Sequence, residues 1–494
     1  MKMTALVAGV LAVVSAGVSP GRAADGSKAI PAFPGAEGWG CDTPGGRGGK
    51  VLVVTTLDAD GPGSLQEACA AKGPRIVTFA VSGVIRGTVT IENSNITIAG
   101  QTAPGAGITI EGMLVTTEGI SDVVIRHLRV RPRRAAETFA GADGEKVARR
   151  LHECGLANPY LSDKQKEFDL ADVRSQPNEY HHALILNGVT RLVLDHVSVS
   201  WGADEVVSLC RTKHVTVQWC TIEEGATKEG RKYNGIHNFG LFSAYNAEGD
   251  FISVHHNLFA NNSRRNPSVR DGFADIRNNV MYNFRGGIDH DGGCSKTDKS
   301  HDYNYVGNTL RKGPNSTAPL PGVSWGKRFW WAEFRDGKRA DRGTSKYFVE
   351  DNWLDGNAPP LPPFVEDGTC RLKEPMPAPK VTTHKAAEAY SLVLQQAGAF
   401  PRDAVTRRTI DEVRTGKGDW GRREPEGGLM AGLTPAAPPP DADKDGMAGE
   451  WEKKHGLDTS KDDSAKVLDG GYTAIEVYLA ERAEAVVKGT DAGE

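Results

Sequence analysis

The amino-acid sequence predicts an all-β protein, a parallel β-helix with long loop insertions, followed by a small helical module at the C-terminus. Three observations predict it: a short apolar motif that recurs, an asparagine at one motif position in the last four copies, and a composition rich in turn-forming residues. The 494 residues include 58 glycines and 27 prolines, which are spread along the chain. Such a distribution is typical of a turn-rich β protein rather than of a disordered one.

The recurring motif combines apolar residues with one variable position, and nine runs fit a single register. The runs are ITIAGQTA, ITIEGMLV, VVIRHLRV, LVLDHVSV, VTVQWCTI, ISVHHNLF, ADIRNNVM, YNYVGNTL and YFVEDNWL. Apolar and polar residues alternate in them, which indicates strands. The variable position recurs after 23 residues from Val197 to Cys220 and after 22 from Asn257 to Asn279. Strands at this spacing cannot all form tight hairpins, so we expect each one to stack on the next coil. A β-sandwich with coincidental Asn-rich turns is the alternative.

The variable position becomes asparagine towards the end of the repeat. Its occupants are Gln101, Met113, Leu128, Val197, Cys220, Asn257, Asn279, Asn308 and Asn352. Side-chain amides at equivalent bends of stacked coils can hydrogen-bond to one another. We therefore expect an asparagine ladder through the last coils.

Three long stretches interrupt the repeat and are expected to leave the stack as loops: 131–182, 223–250 and 310–346. Loops on a rigid scaffold commonly carry binding and catalysis. Residues 384–400 have the periodicity and composition of a helix. We expect this helix to pack on the outside or at the end of the stack, where it would protect exposed strand edges.

The predicted organisation has four parts. Residues 1–24 have a basic start at Lys2 and an apolar stretch, which is typical of a signal peptide. The β-helix domain with its packing helix covers 25–430, a proline-rich linker covers 431–440, and a calcium-binding module covers 441–485. We therefore expect a secreted protein, extracellular or periplasmic, without a membrane partner. A membrane anchor is the alternative interpretation of the apolar stretch, which is short for a span.

Export makes disulfides possible, and the seven cysteines leave at least one thiol unpaired. We expect Cys41 and Cys69 to form a disulfide near the N-terminus. No Cys-x-x-Cys spacing occurs in the sequence, which argues against a zinc or redox site.

Positive charge is concentrated in SRRNPSVRDG at 263–272, where Arg265, Pro267 and Arg270 form an R-x-P-x-x-R pattern beside Arg264. The formal net charge of the chain is −4, so no global basic field favours nucleic acid and an anion site must be local. Guanidinium groups stay protonated and bind carboxylates through paired donors. The segment therefore predicts an acidic ligand, and a solvated turn with charged side chains is the alternative.

Five segments together resemble the pectate lyase family of polysaccharide lyases. They are AFPGAEGWG (32–40), DADGPGSLQEA (58–68), ITIAGQTAPGAGI (96–108), LDHVSVSWGADE (194–205) and HHNLFANNSRRNP (255–267). The resemblance implies a right-handed parallel β-helix, in agreement with the repeat. It also implies β-elimination of polygalacturonate, an acidic polymer of the plant cell wall, with calcium as cofactor and 4,5-unsaturated products. The expected partner is this polysaccharide, and the protein is expected to act as a monomer.

The resemblance gives each arginine a role. Arg265 would remove the proton from C5 of the sugar, and Arg270 would bind a substrate carboxylate with Arg264 beside it. A guanidinium is an unfavourable base because its reference pKa lies above about 12. It would need neighbouring cations, desolvation or a proton transfer that is concerted with elimination.

Histidines offer an alternative base, because imidazole titrates near neutral pH. In that case Arg265 would only clamp the substrate, and His237, His255 or His256 would take the proton. His255 and His256 are adjacent on a predicted strand, so at most one can face a groove. His182 and His237 are also expected among the substrate-binding residues.

The resemblance places calcium ligands at Asp204 and Glu205 in the segment SWGADE. His182, in HHALIL, stands where the family has an aspartate, and imidazole is a poor ligand for calcium, which prefers oxygen. Three outcomes remain open. Substrate carboxylates could complete a weaker site, the first insertion could supply Asp169 or Asp172, or the chemistry could be metal-free, as in pectin lyases, with His182 as a cation or base.

A second calcium site is predicted in DADKDGMAGEWE at 441–452. The positions that demand acidic ligands in a 12-residue calcium loop hold Asp441, Asp443, Asp445 and Glu452, and Gly446 occupies the sharp turn. GGYTAIEVYLA at 470–480 resembles the partner loop and helix of dockerin-like or EF-hand-like modules but lacks the first ligands. The module could stabilise the tail or attach the protein to a partner. An acidic linker is the alternative.

Two other functions could use the same scaffold. A polygalacturonase-type hydrolase needs two carboxylates across the bond, but the adjacent pair Asp462 and Asp463 lies in the tail, outside the repeat. A non-catalytic polysaccharide-binding β-helix would use Arg265 as a clamp alone. A lyase specific for another uronate polymer also remains open.

Overall fold

The computed structural model describes most of the chain. The described residues are 30–154, 168–227, 237–244, 250–269, 272–285, 302–316, 334–335, 338–339, 346–354, 372–421 and 423–489. The predicted signal peptide, Arg270, Cys294 and Cys370 lie outside these ranges.

Short strands dominate the fold, as the repeat predicts. The first are β1 (Lys50–Val54), β2 (Arg75–Phe79), β3 (Gly83–Ile85), β4 (Val89–Ile91), β5 (Ile96–Ala99), β6 (Ile108–Ile110), β7 (Leu114–Thr116), β8 (Ser121–Arg126), β9 (Leu128–Val130), β10 (Leu184–Ile185), β11 (Thr190–Asp195), β12 (Ser198–Ser200), β13 (Glu205–Ser208) and β14 (Lys213–Gln218). The later ones are β15 (Thr221–Glu223), β16 (Phe239–Ser243), β17 (Asp250–His255), β18 (Leu258–Ala260), β19 (Ser268–Val269), β20 (Gly272–Arg277), β21 (Val280–Tyr282), β22 (Asp302–Val306), β23 (Thr309–Arg311), β24 (Phe334–Arg335), β25 (Lys338–Arg339), β26 (Lys346–Glu350) and β27 (Trp353–Leu354).

The helices lie in the first insertion and in the C-terminal part, apart from one short helix near the N-terminus. They are α1 (Leu65–Ala70), α2 (Ala135–Thr138), α3 (Gly141–Glu153), α4 (Leu170–Ser175), α5 (Ala386–Gln396), α6 (Ala404–Thr415), α7 (Gly449–Lys454) and α8 (Ala474–Lys488). None of the helices in the described ranges is long and apolar enough to span a membrane.

Three parallel sheets form the faces of the predicted right-handed β-helix. The first sheet runs β1-β2-β5-β8-β11-β14-β17-β20-β22-β26, the second runs β3-β6-β9-β12-β15-β18-β21-β23-β27, and the third runs β4-β7-β10-β13-β16-β19. Strands of successive coils pair in parallel, as Leu192 of β11 does with Val215 of β14. Inward-facing side chains such as Ile98, Ile125 and Leu194 form one continuous buried core.

The asparagine ladder is confirmed at the corner between the first and second sheets. Asn257 Nδ2 donates to Asn279 Oδ1 at 2.9 Å, Asn279 Nδ2 to Asn308 Oδ1 at 3.0 Å, and Asn308 Nδ2 to Asn352 Oδ1 at 2.8 Å. All four side chains are buried. The ladder therefore replaces the water that these amides lose on folding with hydrogen bonds between coils.

One of the nine runs does not belong to this register. In ITIEGMLV, Ile108–Ile110 is β6 of the second sheet, and Met113 precedes β7 of the third sheet. The alignment of Met113 with the ladder is therefore wrong, because the corner between the second and third sheets is also flanked by apolar residues.

In most coils, the residue before the variable motif position adopts a left-handed conformation. In several of them this residue carries an aromatic or imidazole ring. His127, His196, Trp219 and His256 have φ values between 51° and 57°. The rings of His127 and His196 stack at 4.7 Å, and those of Trp219 and His256 stack at 4.4 Å. His256 Nε2 also lies 2.9 Å from His384 Nδ1, in the chain segment that covers this corner.

These buried histidines are structural. Burial lowers the pKa of His255 to about 4, and burial together with His255 and His384 lowers the pKa of His256 to about 2. Their Nδ1 atoms lie 3.0 Å apart in the interior of the corner. The alternative that His255 or His256 acts as a base in a groove is therefore wrong, because both rings are packed into the scaffold.

The predicted C-terminal helix is confirmed as α5, and together with α6 it covers part of the second sheet. The contact is a cluster of Leu258, Ala260, Val280, Tyr282, Val393, Leu394, Ala397, Ile410 and Val413. Asp403, which caps α6, also holds the buried guanidinium of Arg131 at 3.1 Å. The C-terminal segment thus shields the outer face of strands that the coils alone would leave exposed.

The disulfide predicted between Cys41 and Cys69 is wrong. Neither thiol forms a disulfide, and the same holds for Cys154 and Cys220. Cys69 lies in the main core, whereas Cys41 packs at the edge of a separate cluster under the N-terminal segment. The two cysteines therefore lie in different packing environments despite their closeness in sequence.

Asn279→Ala is expected to destabilise the fold, because Asn279 also accepts from the Asn257 backbone N–H at 3.0 Å and donates to Val254 O at 2.8 Å. Each buried group left without a partner costs about 1–3 kcal/mol, so we expect a loss of at least about 2 kcal/mol. Denaturant unfolding measures it. Asn178→Ala, on a half-exposed turn, is the control, and equal losses in both variants would contradict the ladder's role.

Acidification is expected to destabilise the protein through its buried histidines. The ordinary pKa of histidine is 6.5, whereas that of folded His256 is about 2, so the unfolded chain binds more protons between these values. Stability is therefore complete above pH 6.5 and falls by up to about 1.4 kcal/mol per pH unit below it for each such histidine.

Urea unfolding from pH 8 to pH 4 tests this expectation in wild type and in His256→Phe, which keeps a ring against Trp219 but cannot titrate. The variant should lose less stability over this range. His152→Phe, at a half-exposed position of α3, should keep the wild-type slope. Parallel pH curves for wild type and His256→Phe would contradict the prediction.

Candidate active site

The predicted site residues converge at the start of the third sheet. His182 lies two residues before β10, Asp204 and Glu205 lie at the start of β13, and His237 lies two residues before β16. Arg265 lies three residues before β19. Successive coils place these segments side by side, because Glu205 pairs with Phe239 and Phe239 forms a parallel bridge with Arg264. The stacking register therefore brings residues from four distant parts of the sequence into one cluster.

Arg265 is at the centre of this cluster. Its guanidinium contacts the Glu205 carboxylate and lies over two aromatic rings, 4.4 Å from the Phe239 centroid and 4.3 Å from that of Phe242. Its backbone is left-handed, with φ of 59°, and its carbonyl accepts from the Leu241 N–H at 2.7 Å. The side chain is 18% exposed. The guanidinium is thus held on a rigid aromatic base and remains partly open to solvent.

Gly240 allows this close packing. A Cβ atom at this position would lie 2.5 Å from the carbonyl oxygen of Arg265 and 2.9 Å from Oδ1 of Asn266. The absence of a side chain lets the segment that carries Arg265 approach β16 directly. Gly240 therefore sets the height of the arginine above the two phenylalanine rings.

Each acidic residue of the site has a histidine partner. His182 Nδ1 lies 2.9 Å from Glu205 Oε2, and His237 Nδ1 lies 2.6 Å from Asp204 Oδ1. His237 also packs on Phe239, with 4.0 Å between ring centroids. The backbone N–H of Glu205 also donates to His182 Nδ1 at 3.2 Å, so Glu205 holds this ring through both its backbone and its side chain. The site thus combines a guanidinium, two carboxylates and two oriented imidazoles.

These residues supply only part of the ligand set that the predicted calcium site requires. His182, Asp204 and Glu205 offer ligand atoms within 4.8 Å of one another. Calcium takes six to eight oxygen ligands, whereas this group supplies two carboxylates and an imidazole. Both carboxylates already contact a basic side chain. On their own, these described residues do not form a complete calcium site.

Asp169 and Asp172, the two acids expected from the first insertion, do not complete it. Asp169 caps α4 by accepting from the Ala171 N–H at 2.9 Å, and Asp172 accepts from the Tyr180 hydroxyl. Neither belongs to the acidic cluster at Asp204 and Glu205. Within the described part of the insertion, these two aspartates therefore do not supply the missing ligand.

Asp195 has a structural role within the coil. It accepts from Arg126 Nε at 2.8 Å and from Gln218 Nε2 at 2.9 Å. Burial alone would raise the pKa of Asp195, but His196 and Arg126 hold it well below its ordinary value. This carboxylate therefore stays charged inside the scaffold, away from the site.

Phe239 and Phe242 are site residues that the sequence did not reveal. They lie three positions apart on β16, and in a regular strand such residues face opposite sides. Both nevertheless lie close to the Arg265 guanidinium. Arg270, the second arginine of the R-x-P-x-x-R pattern, lies outside the described residues.

Comparisons with known proteins identify relatives along most of the chain. A probable pectate lyase C of Neosartorya fischeri is 32% identical over 464 residues, covering 91% of this chain and 93% of that protein. A probable pectate lyase C of Aspergillus fumigatus is 31% identical over 467 residues, with the same coverage. No family model matches the chain.

Solved pectate lyases are more distant in sequence. A pectate lyase bound to a hexasaccharide is 13% identical, with a TM-score of 0.45 over 76% of this chain and 99% of that one. Pectate lyase II of Xanthomonas campestris is 16% identical, with a TM-score of 0.42 over 74% of this chain and 98% of that one. The identity to the fungal proteins, over nine-tenths of the sequence, shows that the chain belongs to the pectate lyase family.

Proposed function

We propose that this protein cleaves pectate, an acidic polygalacturonate, by β-elimination and that Arg265 takes the proton from C5 of the sugar. The observation that carries the proposal is the partly exposed guanidinium of Arg265, held between two aromatic rings and Glu205. The relatives named probable pectate lyases support the substrate class. A uronate polymer also supplies the carboxylates that a guanidinium and two imidazoles can bind.

The reaction breaks two bonds and forms one double bond. The C5–H bond gives its proton to the base, its electron pair forms the C4=C5 double bond, and the C4–O4 bond breaks. The departing oxygen takes a proton, so the products are a new sugar end and a 4,5-unsaturated uronate. Negative charge builds up on the uronate carboxylate during proton removal, so cationic groups near it lower the barrier.

Glu205 governs what Arg265 can do. An ion pair with a carboxylate favours the charged guanidinium, so this pair must open before Arg265 can accept a proton. His182 contacts the second oxygen of Glu205 at 2.9 Å and can retain the carboxylate when the arginine turns to the substrate. A uronate carboxylate entering the site competes for the same cations. Substrate binding is therefore expected to release the base.

His237 is the competing candidate for the base. Asp204 Oδ1 lies 2.6 Å from its Nδ1, close enough for the carboxylate to stabilise a protonated ring. In this alternative Arg265 binds the uronate carboxylate and stabilises the charge that builds there. Substitutions that keep the positive charge of Arg265 but change its basicity distinguish the two roles.

No step of the proposed reaction depends on calcium at Asp204 and Glu205. A cation at Asp204 and Glu205 would need further oxygen ligands, which the uronate carboxylates of the substrate could provide. Its contribution, when bound, would be to neutralise the charge that develops on the uronate carboxylate.

Arg265→Ala and Arg265→Lys are both expected to lower kcat on polygalacturonate by at least about 100-fold, because both remove the guanidine base. Lysine keeps the charge and should preserve KM better than alanine does. Absorbance of the 4,5-unsaturated product measures the rate, and Arg86→Ala, at an exposed arginine, is the control.

A different pattern would contradict the role of Arg265. If Arg265→Lys keeps most of kcat while His237→Gln loses it, the base is His237 and the arginine is a clamp. Reducing ends without this absorbance would indicate a hydrolase, and binding without either product would indicate a non-catalytic β-helix.

We also propose that calcium binds in the C-terminal loop at 441–452. Asp441, Asp443 and Asp445 bring carboxylate oxygens within 4.8 Å of one another. Asp441 accepts from the N–H groups of Lys444 at 2.7 Å and Gly446 at 3.0 Å, which curls the loop around its centre.

Glu452 is the second observation in favour of a cation. Its side chain is fully buried, and neither carboxylate oxygen has a hydrogen-bond partner within the described part of the chain. Burial, with the charges of Asp445, Asp443 and Asp441, raises the pKa of Glu452 to about 7. A buried carboxylate without a partner is costly, and a divalent cation among the four acids removes this cost.

The loop is docked on the β-helix. Met447 packs with Ile76 of β2 and Ala99 of β5, and Gln101 Nε2 donates to the Leu479 carbonyl of α8 at 3.2 Å. Arg47 pairs with Glu476 at 2.6 Å. Of the two roles open from the sequence, these contacts support a stabilising tail rather than an attachment device.

Calcium is expected to raise the thermal midpoint of wild type but not that of Glu452→Gln. At about 100 times its Kd, an ion that binds only the folded state stabilises by about 2.7 kcal/mol. Differential scanning calorimetry with calcium or with chelator measures the shift. Glu450→Gln, at an exposed position of the same helix, should keep it, and so should Asp204→Asn. Equal calcium shifts in wild type and Glu452→Gln would contradict the site.

A further inference from the structure

The helical insertion covers one end of the third sheet. One row of paired residues crosses this sheet from coil to coil: Thr90, Val115, Ile185, Ser208, Phe242 and Ser268. Phe242 lies under Arg265, and the row therefore leads from the first coils directly to the candidate base.

The first three members of this row lie under the insertion. Val115 and Ile185 pack in a cluster with Met113, Phe139, Ala148, Leu151 and Val173, which come from the corner before β7 and from the inserted helices. Val115 is 0% exposed and Ile185 is 3% exposed. Arg150 of α3 lies 3.4 Å from the hydroxyl of Thr90 and also contacts Glu92. The insertion is thus anchored across β4, β7 and β10.

The insertion also reaches the edge of the site. Thr138, at the end of α2, lies 3.3 Å from Nε2 of His181, and the Phe139 ring packs against the same imidazole. His181 immediately precedes His182, and its carbonyl accepts from the Asp204 N–H at 3.1 Å. The inserted segment at Thr138 and Phe139 therefore packs directly beside the coil that carries His182.

The position of the insertion limits how far a bound polymer can extend along the stack. The charged residues of the site follow the stacking direction from β10 to the segment before β19, and neighbouring strands are about 4.8 Å apart. A polyuronate that contacts them in sequence runs along the stack and would next cross β7 and β4. The outer residues of those strands are already buried by helix.

We propose that the insertion closes the groove at the β10 coil, so that the enzyme acts near chain ends and on short oligomers rather than within long chains. This inference rests on the proposed lyase function. It assigns to α2, α3 and α4 a role in substrate length selection, without a part in the chemistry.

The test compares product sizes on polygalacturonate and rates on oligogalacturonates of increasing length. Short unsaturated products are expected from the earliest times, with a slow fall in viscosity per bond cleaved and rates that level off at short chain length. Long fragments of random size and a rapid fall in viscosity would overturn the inference. The absence of unsaturated product on every substrate would instead defeat the lyase function.

Leu151→Asp tests whether the inserted helices close the groove, because it places a charge in the buried contact between α3 and the sheet. Cleavage within long chains should increase at least several-fold relative to release of short products. Lys146→Asp, on the exposed face of α3, should leave the product profile unchanged. Circular dichroism establishes that the β-helix persists in each variant. A folded Leu151→Asp with the wild-type profile would overturn the role of the insertion.

Discussion

Parallel pairing of each coil with the next is the constraint on which this structure depends. A single coil has unpaired backbone N–H and C=O groups along both edges of its strands. These strands are therefore stable only within the stack. At the corner between the first and second sheets, most later coils repeat a left-handed residue followed by a buried side chain, as His256 is followed by Asn257. Any register error would break the asparagine ladder and the apolar core together.

The candidate site is a consequence of that register. His182, Asp204, Glu205, His237 and Arg265 span more than 80 positions of the sequence, yet each lies near the start of a strand in the third sheet. Stacking alone makes them neighbours. The scaffold therefore holds charged groups close together without a dedicated local fold, and long loops can vary around them.

The sequence was sufficient for the architecture, because a β-helix repeats one simple pattern and its asparagines fall at one corner. It also predicted Arg265, Asp204 and Glu205 as site residues, since these belong to contiguous motifs, and the structure brings the three together. It could not reveal Phe239 and Phe242 beside the arginine, because residues three apart on a strand are expected on opposite faces, yet both rings contact the guanidinium. The pairing of Cys41 with Cys69 failed for a related reason, because closeness along the chain says nothing about which layer a side chain enters.

The two acidic clusters of this protein differ in how far the protein itself balances their negative charge. Glu205 contacts Arg265 and His182, so much of its charge is balanced by the protein itself. Glu452 is fully buried beside three aspartates, and its oxygens have no hydrogen-bond partner in the described ranges. A divalent cation gains little at a carboxylate that must first release its guanidinium, whereas it relieves repulsion and desolvation at the loop. If calcium binds at the loop as proposed, its removal would affect the candidate site through the stability of the stack rather than through the loss of a ligand in that site, because the loop packs on Ile76 and Ala99 of the first coils.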